Sequence, residues 1–473
     1  MVRPLVFSSL FFLYCFLPAS ILLYVISPTL RIKNWLLTIL SLIFYAWGEP
    51  ICVLLLLVQT LLGYIGGLCA ESLPSVGKKL TVGLTSALIL AMLAVFKYAD
   101  FILINVNSAL NLSIPLLGLS LPIGISFFTF QTLSYVIDVS RGRAKAQRFF
   151  PDLLLYVSLF PQLIAGPILR YTDVDAQLQD RKTTPEGVFN GLFRFCVGLG
   201  KKVLLANYAG KVASGLLDGG AVSMADAWLG VVLFSFQIYF DFSGYSDMAI
   251  GLGRIFGFTY PENFNLPYIS KSITEFWRRW HISLSTFFRD YVYIPLGGNR
   301  KHQWLNLLVV WFLTGLWHGA SWNFIFWGLY YCLLLCIEKA IGEKRLKHVP
   351  GLLRRVFTLF FVALGWMIFY YTDLSALAVT AKAAFGMGRL SSAQSGILFM
   401  NNLPLLIACL ICSTPLLRKV GQGFGWLCLM RKPSKGGQAA YALVRFAVML
   451  ALLAVATVSL VGESYNPFLY FRF

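Results

Sequence analysis

Long apolar runs, interrupted at intervals by short basic clusters and turn-forming residues, dominate this chain. Several of them carry no charged residue at all, among them Pro4 to Leu30, Pro50 to Ala70, Ser391 to Leu417 and Phe446 to Gly462. A helix needs about 20 apolar residues, rising ~1.5 Å each, to cross a bilayer. The pattern predicts spanning helices near 6–29, 35–48, 51–70, 80–97, 119–138, 188–213 and 228–250, then near 356–371, 397–417 and 440–461. Between these groups, Gln303 to Ile337 is free of acidic and basic charge. As one helix it would be about 50 Å long against a hydrocarbon core of ~30 Å, so a broken helix or hairpin is expected. Its middle, Thr314-Gly315-Leu316-Trp317-His318-Gly319-Ala320-Ser321, brackets the run's one histidine with glycines. Irregular backbone at membrane depth is tolerated where it lines a protein cavity. Pro161-Gln162-Leu163-Ile164-Ala165-Gly166-Pro167 likewise opens inside an apolar stretch, and two prolines with a glycine predict a re-entrant segment. The expected fold is all-α and polytopic, with about 11–12 membrane segments, some re-entrant or broken.

Composition supports that reading. The 473 residues are 58% hydrophobic and 12% charged, where soluble domains carry roughly 25% charged residues. The net charge of +19, from 39 Lys and Arg against 20 Asp and Glu, would suit a nucleic-acid partner in a soluble protein. In a chain this apolar it records cytoplasmic loops, and no nucleic acid is expected. Basic clusters fall at alternate loops: Arg31 and Lys33, Lys78 and Lys79, then Arg141, Arg143, Lys145 and Arg148, with Glu49 and Asp100 marking the loops between. The positive-inside rule puts the N-terminus outside. Arg254 to Lys301, the Glu343 to His348 loop, and Arg418, Lys419, Arg431, Lys432 and Lys435 then fall inside, and the tail from Glu463 to Phe473 outside.

The first apolar run is longer than a signal-peptide core and lacks a small-residue cleavage site before Arg31, so it reads as the first span. Most of the nine cysteines lie in apolar runs, and Cys409 and Cys412, the one ligand-like spacing, have no nearby His. Neither a disulfide framework nor a zinc site follows. The longest polar connection, about Thr172 to Gly187, is too short to fold alone, and 1–473 reads as a single membrane domain.

Few residues offer chemistry. A neutral imidazole at His318, at membrane depth, can take a proton from a hydroxyl attacking an acyl carbonyl, as a general base does. A hydrogen-bonded packing histidine is the bland alternative, but intramembrane ionisable groups are functional by default, and the flanking Gly and Trp317 supply a cavity and a wall. In Phe276-Trp277-Arg278-Arg279-Trp280-His281-Ile282-Ser283-Leu284-Ser285, helical spacing places Trp277, Trp280, His281 and Leu284 on one face of an expected interfacial helix. Arg278 and Arg279 suit either donor phosphates or snorkelling to headgroups, and snorkelling is the commoner role. Asp241, Ser243, Tyr245, Ser246 and Asp247 form a polar knot at the edge of a span. Its acids need partners, and structural pairing and tunnel lining fit equally.

These same segments resemble the membrane-bound O-acyltransferases, specifically the bacterial branch of the alginate O-acetylation membrane protein. The resemblance runs along nearly the whole chain. It rests on Pro161-Gln162 with Gly166 to Tyr171, Asp241 to Gly251, Asn263-Phe264-Asn265, Phe276 to Ser285, Arg289 to Asn299, and Gly315 to Ser321. It implies tilted helices around a thinned centre and tunnel, with a cytoplasmic funnel for an activated acyl donor opposite an acceptor opening. His318 matches the family's active-site histidine and His281 its second, supporting position. Asn265 falls in a further shared motif and is counted with the tunnel residues. The resemblance further implies acetyl-CoA or another acyl thioester as donor substrate, with no bound cofactor or metal. Expected partners are membrane lipid, a periplasmic hydrolase-fold (SGNH-hydrolase-like) acyltransferase and a polysaccharide synthesis or secretion complex. The bacterial inner membrane is the implied location, and alginate, cellulose, other envelope polymers and a teichoic-acid-like D-alanyl route are the acceptors left open.

The tail Pro467-Phe468-Leu469-Tyr470-Phe471-Arg472-Phe473 also resembles this branch, and Tyr470 would there be an acyl relay or, as interfacial tyrosines commonly are, an aromatic anchor. A transporter or flippase would also explain broken helices and intramembrane polar groups but predicts inverted repeats, which the sequence does not display. A scaffold subunit would need none of these polar motifs.

Overall fold

The computed structural model describes residues 5–164, 166–218, 220, 221, 223–428, 435–462, 465, 466, 468 and 469. Among them the regular structure is helical, and two compact units emerge: Met1–Phe195 with Ser246–Pro261, and Cys196–Tyr245 with Glu262–Phe473. Seven described helices are long and apolar enough to cross a membrane.

In the first unit the principal helices are α1 (Leu30–Gly48), α2 (Cys52–Ser72), α3 (Ser75–Leu110) and α4 (Ile125–Ser140). Glycines on α2 let neighbours come close. A Cβ at Gly63 would sit 2.3 Å from Thr132 Cγ2 on α4, and one at Gly67 2.5 Å from the Tyr135 hydroxyl. Small residues serve membrane helices in this way because lipid offers no hydrophobic drive for association.

Helix α3 runs well past the expected 80–97. Asp100, expected in a loop, lies inside it, and its carboxylate accepts the N–H groups of Leu117 and Gly118 at 2.7 and 3.0 Å. The following segment folds back along the helix and satisfies the acid. The Pro161 region breaks as expected. One short helix ends at Ser158, another covers Phe160–Leu163, and no helix is assigned again until Tyr171.

The second unit holds the segment from which the candidate site is built. Helix α5 (Met224–Ile255) contributes its residues up to Tyr245. The single helix expected across Phe276–Ser285 does not form. Two short ones replace it, α6 (Ile273–Arg279) and α7 (Ile282–Phe288), with His281 in the left-handed region at φ +44° between them. The cause is non-local: the Ile282 N–H donates to the Asn263 carbonyl at 2.9 Å instead of continuing the α6 ladder.

Gln303 to Ile337 is the predicted hairpin, α8 (Gln303–His318) and α9 (Trp322–Ile341). The two helices meet at glycines. A Cβ on Gly315 would lie 2.4 Å from the Phe324 carbonyl oxygen and one on Gly328 2.3 Å from that of Trp311. Helices α10 (Gly351–Tyr370), α11 (Ala393–Cys412) and α12 (Lys435–Gly462) follow.

Candidate active site

His318 occupies the last turn of α8 and is nearly buried. Three aromatic rings set around it at steep angles: Trp317 at 5.0 Å, Trp327 at 4.9 Å and Phe369 at 5.3 Å between centroids. Trp327 comes from α9 and Phe369 from α10, so the Gly315–Gly328 crossing that fixes the hairpin also sets Trp327 against His318. His281 is buried at the α6–α7 break, its ring against Phe242 at 4.6 Å and Trp317 at 5.7 Å. The indole of Trp317 thus touches both imidazoles. Burial, with His318 nearby as a second contribution, lowers the His281 pKa well below the usual imidazole value and keeps the ring neutral.

Both histidines line one cavity of about 470 Å³. Trp277, Leu307, Val310 and Trp311 form its apolar side, and Thr274, Ser285 and Thr314 add hydroxyls. Three cations reach it: Arg278 from α6, Arg289 from the turn after α7, and Lys339 from α9. Arg289 also pairs with Asp290 at 2.7 Å, while Lys339 Nζ stands 3.5 Å from Asn299 Oδ1. The arrangement combines two imidazoles, that of His281 held neutral, with an apolar chamber of ligand size and an anion-attracting side.

The other residues singled out from the sequence separate. Arg279 is held away from the cavity lining by Glu275 at 2.9 Å and by the Asn265 carbonyl at 3.1 Å, so the two arginines do not act as a pair. Asn265 is exposed, and its backbone N–H and C=O both engage Arg279. The polar knot also divides. Asp241 forms a buried ion pair with Lys202 at 2.7 Å and accepts the Leu469 N–H at 2.9 Å. Ser243 is buried on α5, and Tyr245 stacks on Phe468 with centroids 4.6 Å apart. Asp247 belongs to the first unit, where Arg194 holds it at 2.8 Å. Tyr470 lies outside the described residues.

Arg289, Lys339 and Lys202 are the functional candidates that sequence reasoning passed over. Lys202 carried a signal, since a Lys in the middle of an expected span needs a partner; it sits in a π-helical turn, Lys201–Ala206, and is fully buried.

The family model for MBOAT, the membrane-bound O-acyltransferase family, matches residues 140–381, which contain both histidines and the whole cavity. This chain belongs to that family. It is 39% identical to the "Probable alginate O-acetylase AlgI" of Azotobacter vinelandii over 99% of this chain and 100% of the relative. The protein of the same name from Pseudomonas aeruginosa is 37% identical over the same shares. A peptidoglycan O-acetyltransferase of Helicobacter pylori is 35% identical over 82% of this chain and 81% of its own length. The chain is a membrane-embedded O-acyltransferase.

Proposed function

We propose that this membrane O-acyltransferase moves an acetyl group from a cytosolic acyl thioester, acetyl-CoA in the simplest case, across the inner membrane for O-acetylation of an extracytoplasmic polymer. The observation that carries the reading is the single cavity lined by His281, His318 and the cations Arg278, Arg289 and Lys339. The cations attract the donor's phosphates, and the apolar chamber takes the acyl end. His318 removes the proton of an attacking hydroxyl as its oxygen bonds to the thioester carbonyl carbon. Collapse of that adduct breaks the C–S bond, and the sulfur leaves as thiol with the proton His318 held. The position of His318 at the C-terminal end of α8 favours the transient imidazolium, because the helix dipole is negative there. Trp317 and His281 hold the geometry.

The acceptor is an exopolysaccharide or cell-envelope polymer. An alginate-like polysaccharide leads, because relatives matching over nearly the full length carry that name; cellulose has no such support. A periplasmic hydrolase-fold partner within a secretion complex would finish transfer to sugar hydroxyls. N- and C-termini both face the periplasm in this scheme, and Tyr470 would relay the acyl group there.

The test is polymer-linked O-acetyl in cells carrying His318→Ala, with membrane levels of the protein measured beside wild type. Lost acetylation at normal protein levels is expected; unchanged acetylation would refute His318 as the base.

A further inference from the structure

The side-chain amide of Asn263 is fully buried, and its Oδ1 gathers three neighbours: the Ser283 N–H at 3.2 Å, the Ser283 hydroxyl at 2.9 Å and His281 Nδ1 at 3.1 Å. One of the three has a fixed polarity. A backbone N–H can only donate, so the Asn263 atom facing Ser283 is the carbonyl oxygen; the reversed amide would set an NH2 group against an N–H. An amide oxygen can only accept, so the His281 Nδ1 that contacts it carries a hydrogen. A neutral imidazole has one N–H, which leaves the lone pair on Nε2.

Local backbone keeps the arrangement from sliding. The Asn263 carbonyl accepts the Ile282 N–H and the Asn265 N–H donates to the Arg279 carbonyl, both at 2.9 Å, so hydrogen bonds on each side of His281 tie the two segments together. They also hold His281 in its left-handed conformation, which a non-glycine residue adopts only when its surroundings compensate the steric cost.

We infer that Asn263 is a positioning residue that fixes His281 as the Nδ1-protonated tautomer, so that His281 serves the cavity through Nε2 as a hydrogen-bond acceptor. It cannot then donate to the oxyanion that develops on a thioester carbonyl. Its Nε2 receives a hydrogen bond from the acceptor hydroxyl or from the His318 imidazolium. The inference rests on the proposed place of His281 in the acyl-transfer site and adds the tautomer and the direction of its hydrogen bond.

The experiment measures transfer from radiolabelled acetyl-CoA to endogenous polymer in inverted membrane vesicles, between roughly pH 5 and 9, for wild type, His281→Ala, Asn263→Asp and Asn263→Leu. Asn263→Asp keeps the acceptor for both Nδ1–H and the Ser283 N–H. Its carboxylate stabilises imidazolium, so activity at high pH is expected within about 3-fold of wild type while the acid limb moves up by about one pH unit. Asn263→Leu releases the tautomer and is expected to lose at least ~10-fold. If the leucine variant fails to accumulate, the aspartate variant alone decides. An Asn263→Asp profile superimposable on wild type, with His281→Ala inactive, overturns the tautomer inference and leaves His281 in the site. Full activity of His281→Ala overturns the role of His281 itself.

Discussion

Gly328→Ala asks whether the α8–α9 crossing sets the position of His318. A methyl group at 328 would lie 2.3 Å from the Trp311 carbonyl oxygen and 3.3 Å from both Cα and N of Gly315. All three are backbone atoms of α8, so no side chain can swing aside, and the helices must part by roughly 1 Å to reach ordinary contact. Overpacking of this kind costs about 1–3 kcal/mol, and the gain in helix propensity from Gly to Ala returns ~1 kcal/mol, so a net loss of about 1 kcal/mol is expected. Activity falls further than stability. His318 is one turn beyond Gly315 on the same helix, the displacement reaches its ring, and a shift of ~1 Å can cost about 100-fold in rate. Gly396→Ala on α11 is the control, since a Cβ there meets nothing within 4 Å; it should be neutral or stabilising by up to ~1 kcal/mol, with full activity. Heat unfolding of both variants in detergent and polymer O-acetyl in cells supply the readouts. Wild-type transfer by Gly328→Ala, or equal losses in the two variants, would refute the reasoning.

Lys202→Met leaves Asp241 buried without its ion-pair partner, a change that costs about 3–5 kcal/mol. Membrane levels and thermal midpoint should fall steeply, and adding Asp241→Asn should restore part of both; a single variant that melts like wild type would show that the pair contributes little. The neutral, buried His281 also makes stability depend on pH. Its folded pKa lies below the unfolded value of about 6.5, so in the window between them the unfolded chain binds the extra proton and stability declines as pH falls. Melting temperature of wild type should therefore decrease from pH 7.5 to about 5.5, and His281→Gln should flatten that slope; parallel slopes would remove His281 as the cause.

Much of the hairpin was legible because its signals are local. A charge-free run too long for one span, with Gly315 and Gly319 around His318, forces a break wherever the chain is read. The α6–α7 break was not legible. Phe276 to Ser285 has helical spacing, and what overrides it is Asn263, whose amide and carbonyl capture Ser283 and Ile282 from across the intervening chain. The same holds for charge partners. Adjacency suggested that Arg278 and Arg279 act together, whereas Glu275, one turn earlier, takes Arg279 and leaves Arg278 at the cavity beside Arg289 and Lys339. Asp241 and Asp247 sit six residues apart on one helix yet pair with Lys202 and Arg194, respectively. Periodicity reports which face is apolar, but it carries no information about which distant residue meets a given polar group.

The two histidines occupy opposite kinds of helix end. His318 closes α8, where the helix dipole is negative and positive charge is favoured; His281 precedes the first turn of α7, whose Ile282 and Ser283 N–H groups are taken by Asn263. Burial keeps His281 neutral, with His318 nearby as a second cause, and Asn263 uses the ring's one N–H as a tether. In the proposed reaction this divides the work without any further residue. The imidazole at the carbonyl end of its helix gains positive charge as the hydroxyl gives up its proton, and the imidazole at the amide end stays neutral and accepts a hydrogen bond. Were the roles exchanged, the transient charge would form on the ring that burial keeps neutral, so in the proposed reaction the backbone breaks that make this cavity also set which of its two bases receives the proton.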